Sequence, residues 1–367
     1  MSVAGVTLAA IAAVVEPTQL AAGPGSQLAT ALPTVVPLQS AVDALVDFLS
    51  PGTLATVLVN GLAKASLYVM IASGLTLVFG LMGVLNFAHG SLTMIGAYLG
   101  GLIMVLVASD APGGVRLLLF GVAIAGTFAA LALLGAGIEA TLVRPLYDRP
   151  PLYQILLTFG LTLTLDEAVR IVVAFYGLQP ISDWQAALAT KPALLSQSLS
   201  VGPVSVRGLA LFEILAGVAT VAAVWAFLTR TRYGLYVRAG SEDDEMLAAL
   251  GVDVRRGFTV VFALGAGVAG VAGVLLMWDG NWGASVPLAA ETLLPAFVVV
   301  IVGGLGTFRG TVVAGGLVGL ADATTTWWFQ NYVEFTGLPQ MTVFLILVLV
   351  LIFKPQGLFG VEEVGGH

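Results

Sequence analysis

His89 is the single histidine before the C-terminal residue, and it lies in Asn86-Phe87-Ala88-His89-Gly90 between two strongly apolar runs. An imidazole beside a hydroxyl is the pattern of a nucleophilic hydrolase. Ser91 follows His89 too closely to form an activated pair with it, so the motif does not support an intramembrane hydrolase. Asp166, Glu167 and Arg170 set two carboxylates and a guanidinium in one apolar run, and spacings of four and three put Arg170 on the helical face of both acids. Such charges either line a substrate path or neutralise one another near the outer end of a span, and the second reading comes first. Glu139, Glu213 and Asp322 are single acids in apolar segments. Each reads first as a cap or cross-link between helices and second as a proton relay.

Composition removes other chemistries. The chain has no cysteine, which excludes disulfides, thiolate metal sites and cysteine nucleophiles. Two histidines, one of them terminal, leave no histidine metal cluster, and no cofactor is implied. None of Lys64, Lys191 and Lys354 follows a glycine and precedes Ser or Thr, so there is no P-loop for ATP hydrolysis. Gly265-Ala-Gly-Val-Ala-Gly270 fits a dinucleotide pattern, but no strand precedes it; close approach of helices explains it better. The pairs Gly96/Gly100 and Gly315/Gly319 read the same way. Gly303 to Gly310 is glycine-rich between apolar flanks, which favours a tight turn over a phosphate nest.

These residues must be held by membrane helices. Of 367 residues 58% are hydrophobic and 10% charged, with a mean hydropathy of +1.01, whereas soluble domains carry about 25% charged residues. The solvent for most of the chain is lipid, and the fold class is all-α and polytopic. Segments at 57–80, 91–109, 117–141, 154–177, 208–229, 257–278 and 311–329 are near spanning length. Two shorter ones, 292–304 and 341–353, span with flanking residues or are broken helices, for eight to ten spans in all. Arg144, Arg149, Arg230, Arg232, Arg238, Arg255, Arg256, Arg309 and Lys354 fall in one set of loops, against Arg116, Lys191 and Arg207 in the other. The excess of cations places the first set, and the C-terminus, in the cytoplasm of a cell-membrane protein. Residues 1–50 form an Ala-, Gly- and Pro-rich extension. Asp43 and Asp47 with Leu45 and Phe48 suggest a short amphipathic helix at the membrane surface, or else a poorly ordered tail. Residues 51–360 form the membrane domain and 361–367 a cytoplasmic tail.

The longest internal loop carries a helix signal of its own. Ser241 is an N-cap with Asp244 three residues on, Glu242 and Asp243 suit a helix N-terminus, and Gly251 is the expected stop. Arg238 precedes this helix of about nine residues, on which Met246, Leu247 and Leu250 form one apolar edge. A helix this short is marginal alone in water and must dock on the membrane domain or on another protein.

Several of these motifs recur together in one known family. Gly74-Leu-Thr-Leu-Val-Phe-Gly80 followed by Asn86-Phe-Ala-His-Gly90 resembles the first-helix signature of branched-chain amino acid ABC transporter permeases of the first-permease type. Arg144-Pro-Leu, Arg238-Ala with Glu242-Asp243 and Gly251-Val, Gly303-Gly-Leu-Gly306, and Lys354-Pro-Gln-Gly-Leu-Phe-Gly360 are similar to its later motifs, in order, over residues 55–360. Phe87, where urea and short-chain amide permeases more often have methionine, favours amino acids; those permeases remain the alternative. The long N-terminal extension, Asp166-Glu167 and the outer loop from Gly177 to Val206 depart from the pattern.

The resemblance implies a permease subunit without its own ATPase site. Its partners would be a second permease, two cytoplasmic ABC ATPase subunits, an extracytoplasmic binding protein, the amino acid and membrane lipid, with no nucleic acid. It also implies that the Ser241–Gly251 helix contacts an ATPase, and that Asn86 and His89 brace the inner end of the first two spans. An ion-driven secondary transporter using Asp166, Glu139 or Asp322 is the rival reading.

Overall fold

A computed structural model describes residues 38–108, 111–176, 191–202, 204–240, 244–249, 251–279, 283–332 and 338–360. The chain divides into two units, 1–50 and 51–367. In the first, helix α1 covers Leu38–Phe48 and contains the amphipathic stretch expected from Asp43 to Phe48.

The second unit is essentially all helical. It runs α2 Pro51–Met82, α3 His89–Ala108, α4 Gly113–Ile138, α5 Pro151–Phe175, strands β1 Ser198–Val201 and β2 Val204–Arg207, then α6 Gly208–Arg230. It continues with α7 Arg232–Gly240, α8 Asp244–Ala249, α9 Val254–Leu276, α10 Leu288–Gly303, α11 Phe308–Tyr332 and α12 Leu338–Phe353. Among the described residues, the nine helices of sixteen or more residues follow the nine apolar segments in order. Five stretches among the described residues, 51–80, 89–107, 113–146, 208–230 and 254–276, are long and apolar enough to cross a membrane. Helices α5 and α11 have the length, at 25 residues each, but carry charges. Helices α10 and α12 are apolar but only 16 residues long. The antiparallel β1–β2 hairpin, pairing Ser198 with Arg207 through Val201 with Val204, was not expected in the loop before α6.

Lipid tails give apolar helices no reason to leave them for one another, so association depends on close contact between backbones. The glycine motifs supply it. A Cβ on Gly74 of α2 would lie 2.6 Å from the Gly265 carbonyl oxygen of α9, and one on Gly96 of α3 would overlap Gly270. Gly315 and Gly319 of α11 sit against Val69 and Ala65 of α2. The small-residue reading of 265–270, Gly96/Gly100 and Gly315/Gly319 therefore holds.

The tight turn expected at 303–310 is also present. Gly304 has φ +101°, a conformation side chains disfavour, and its Cβ would meet Gly360 of the C-terminal segment at 2.5 Å. Leu358 and Phe359 donate backbone hydrogen bonds to the Val302 and Gly303 carbonyls, at 2.8 and 3.0 Å. Two of the sequence motifs thus form one packed corner.

One of the tightest crossings is at Gly273 of α9, where a Cβ would overlap the Thr93 carbonyl of α3. Gly121 of α4 has open space around it. Gly273→Ala should destabilise the bundle by about 1–3 kcal/mol through overpacking, while Gly121→Ala, gaining helix propensity, should be neutral or stabilising. Thermal unfolding midpoints of the two variants in detergent check the contrast.

Candidate functional site

Helix α2 ends at Met82, and the chain does not leave the bundle there. Residues 83–88 climb back alongside it. The Leu85 carbonyl accepts from Thr158 of α5 at 3.1 Å, Phe87 packs between Phe159 and Phe297 with ring centroids 6.4 and 5.2 Å away, and His89 Nε2 lies 2.9 Å from the Ile71 carbonyl. Ile71 precedes the end of α2 by eleven residues, about 16 Å at 1.5 Å per residue. His89 therefore does not brace the inner end of the first two spans. It sits about three turns deeper, where α3 begins inside the bundle.

An interrupted helix exposes backbone groups that lipid cannot satisfy. Asn86 answers part of that demand: its side-chain oxygen accepts from the Ala88 N–H at 3.1 Å and its carbonyl from the His89 N–H at 3.3 Å. Both residues are fully buried. Because a carbonyl only accepts, the His89 contact to Ile71 fixes the Nε2–H tautomer. Nδ1 has no hydrogen-bond partner among the described residues. Gly90 permits the close approach of α3 to the start of α10, since a Cβ there would overlap the Ala289 carbonyl.

The charged trio of α5 is arranged differently from the expectation. Arg170 Nε pairs with Glu167 at 3.2 Å, both groups being well exposed, while Asp166 accepts from Ser91 Oγ at 2.7 Å. The first reading, a cluster neutralising itself, applies to Glu167 and Arg170 alone. Asp166 belongs to the start of α3. Ser91, set aside as a nucleophile, is its partner.

Asp322 and Glu139 cross-link helices. Asp322 of α11 accepts from Tyr68 Oη at 2.7 Å and pairs with Lys64 Nζ at 3.1 Å, both on α2; Lys64 also donates to Thr326 at 3.1 Å. Glu139, fully buried where α4 passes into a π-helical turn, pairs with Arg144 at 2.8 Å. It also accepts from Tyr147 at 2.6 Å and from Thr259 of α9 at 2.7 Å. Burial first, and then the bond to Glu139, push the Tyr147 phenol well above its usual range, so it stays a donor. Every acceptor position that matters here meets a cation or a hydroxyl, which is what keeps a buried carboxylate affordable.

Glu213 is treated otherwise. Only 1% exposed, its Oε1 has no partner among the described residues. It lines a cleft of about 240 Å³ together with Lys64, Arg207 and Asp279, and with Val57 and Trp327. Arg207 ends the hairpin and pairs loosely with Asp279, at 3.8 Å. A separate, smaller pocket shares Lys64 with it and is lined also by Tyr68, Ile71 and Thr292. Sequence reasoning named Lys64 only as lacking a P-loop and Arg207 only as an outer cation, and it did not consider Asp279. A lone lysine in an apolar run was the available signal.

On the far side of the bundle, α7 and α8 form the segment predicted as a docking helix. Ser241, Glu242 and Asp243 lie outside the described residues, as does Leu250. Gly251 stops the helix at φ +81°, with the Val252 N–H bonded to the Leu247 carbonyl at 3.3 Å. Of the expected apolar edge, the two described residues differ: Leu247 is 6% exposed, packed into its own chain, while Met246 is 58% exposed. A six-residue helix resting on α9 has two sides, and sequence spacing alone does not tell which faces inward.

Breaking a buried ion pair on one side costs about 3–5 kcal/mol because the other charge stays behind. Lys64→Met should therefore lower the unfolding midpoint markedly, and adding Asp322→Asn should restore much of the loss. Parallel thermal melts of both single variants and the double variant measure the coupling.

Residues 57–353 match the family described as branched-chain amino acid transport system / permease component. The chain is 32% identical over 313 residues to the high-affinity branched-chain amino acid transport system permease protein BraD of Pseudomonas aeruginosa, covering 84% of this chain and 96% of BraD. LivH of Escherichia coli K12, a permease protein of the same description, is 28% identical over 83% of this chain and 95% of its own. The probable LivH of Methanocaldococcus jannaschii is 24% identical over 83% and 92%. A solved structure, PsaBC from Streptococcus pneumoniae in complex with Fab, aligns over 87% of this chain and 98% of its own at TM-score 0.47 and 13% identity, too distant to bear on the argument. With the bundle, the interrupted helices and these matches in agreement, the chain belongs to the branched-chain amino acid transport permease family.

Proposed function

We propose that this chain is the membrane-spanning permease subunit of an ABC importer that translocates branched-chain or related hydrophobic amino acids. The observation that carries it is the match of 57–353 to the permease family, joined to a bundle whose helix breaks and cleft lie on its inside. Energy comes from two separate ATPase subunits, since no lysine of the chain sits in a P-loop. A second permease completes the membrane channel, and an extracytoplasmic binding protein delivers the amino acid to the hairpin end. The arginine-rich loops and the C-terminus face the cytoplasm. The rival ion-coupled mechanism is weakened because Glu139 and Asp322, two of its three carboxylates, are held in ion pairs.

The α7–α8 segment is the contact for the ATPase. Its docking surface is formed by exposed Met246 and Leu235 rather than by Leu247. Alternating access follows when ATPase closure is transmitted through this segment to α6 and α9, the helices it joins.

The purified chain alone in liposomes should neither hydrolyse ATP nor take up leucine on an ion gradient. With ATPase subunits, second permease and binding protein it should do both in a coupled way. Uptake by the chain alone on a proton gradient would contradict this reading. Within the assembled transporter, Met246→Asp should uncouple ATP hydrolysis from uptake with an unchanged unfolding midpoint. Leu247→Asp should instead lower the midpoint, because it places a charge inside the subunit's own packing. Unfolding curves and uptake measured side by side separate the two.

A further inference from the structure

Among the described residues, Glu213 Oε1 in this cleft is the one buried carboxyl oxygen without a hydrogen-bond partner. Elsewhere the fold takes care to satisfy such groups, as at Glu139 and Asp322. An unpaired buried carboxylate oxygen is costly, and a fold keeps one where something arrives to fill it. The walls say what arrives. Lys64 spends two of its three ammonium donors on Asp322 and Thr326, leaving a third. Arg207 keeps a guanidinium that is half exposed and held by Asp279 only at 3.8 Å. Two cations and two carboxylates line one small cavity, so a ligand with no net charge but with both signs suits it. Val57 and Trp327 add apolar wall. At about 240 Å³ the cleft falls below the ~300–1,000 Å³ of sites for drug-sized ligands, and it suits a small one.

Resting on the importer reading above, we propose that this cleft is a zwitterion-binding station on the translocation path. Glu213 takes the α-ammonium of the amino acid, Lys64 and Arg207 share its α-carboxylate, and the apolar wall takes the branched side chain. The narrow pocket from Lys64 to Ile71 and Thr292 is the continuation of the path, closed in this conformation. The station selects for the amino acid backbone.

The test uses the complete transporter, in which Asn60→Cys in the cleft is the only thiol of this subunit. Labelling by an impermeant thiol reagent is followed with leucine, with leucinol, which lacks the carboxylate, and with 4-methylpentanoate, which lacks the ammonium. Leucine should slow labelling and the two analogues should not. Adding Glu213→Gln should raise the leucine concentration needed for protection by about tenfold or more, the worth of one charge-assisted hydrogen bond. The analogue comparison stands even where Glu213→Gln fails to fold. Protection by leucinol or by 4-methylpentanoate equal to that by leucine, or none by leucine in a complex that transports leucine, overturns the station and leaves the importer reading intact. A complete complex that transports no amino acid overturns the importer reading itself.

Discussion

Lipid offers a helix nothing that another apolar helix improves upon, so this fold depends on backbones meeting at van der Waals distance. The Gly74–Gly265 crossing of α2 and α9 is where that is most consequential. The same crossing leaves room for His89, whose Cε1 would lie 2.8 Å from a Cβ at Gly74. Widening the crossing by one methyl would displace the imidazole, free the Ile71 carbonyl and unseat the start of α3. Packing and polar satisfaction are therefore one constraint here.

From that constraint the functional features follow. Because α2 and α9 touch, α3 and α10 can begin inside the bundle, and their starts meet where Gly90 faces Ala289. Because helices begin there, backbone donors and carbonyls reach membrane depth, where protein must satisfy them. Asn86 and His89 do so. Polar groups on α2 and α11, among them Lys64 and Thr326, then border a cavity instead of lipid. A path for a zwitterion needs this combination of depth, polarity and rigid walls.

The apolar segments, the glycine pairs and the turn at Gly304 were legible in the sequence because each depends on local spacing. What was not legible depends on partners remote in sequence. Tyr68 and Asp322 are 254 residues apart, and no local pattern joins them. Ser91 was read against His89, its neighbour in sequence, when its partner is Asp166 on another helix. The six residues after Met82 read equally well as a surface turn or as a return into the bundle. Only the contacts with Thr158 and Ile71 decide it. The direction in which Leu247 points was undecidable for the same reason.

The central claim is that α3 starts deep inside the bundle, level with the middle of α5. The chain has no cysteine of its own, so introduced pairs report without background. Ser91→Cys with Asp166→Cys, whose native oxygens are 2.7 Å apart, should form an oxidant-induced cross-link as readily as the control pair Thr76→Cys with Thr311→Cys, also 2.7 Å apart. Cross-linking of the control pair but not of 91 with 166 would place the start of α3 elsewhere and contradict the account.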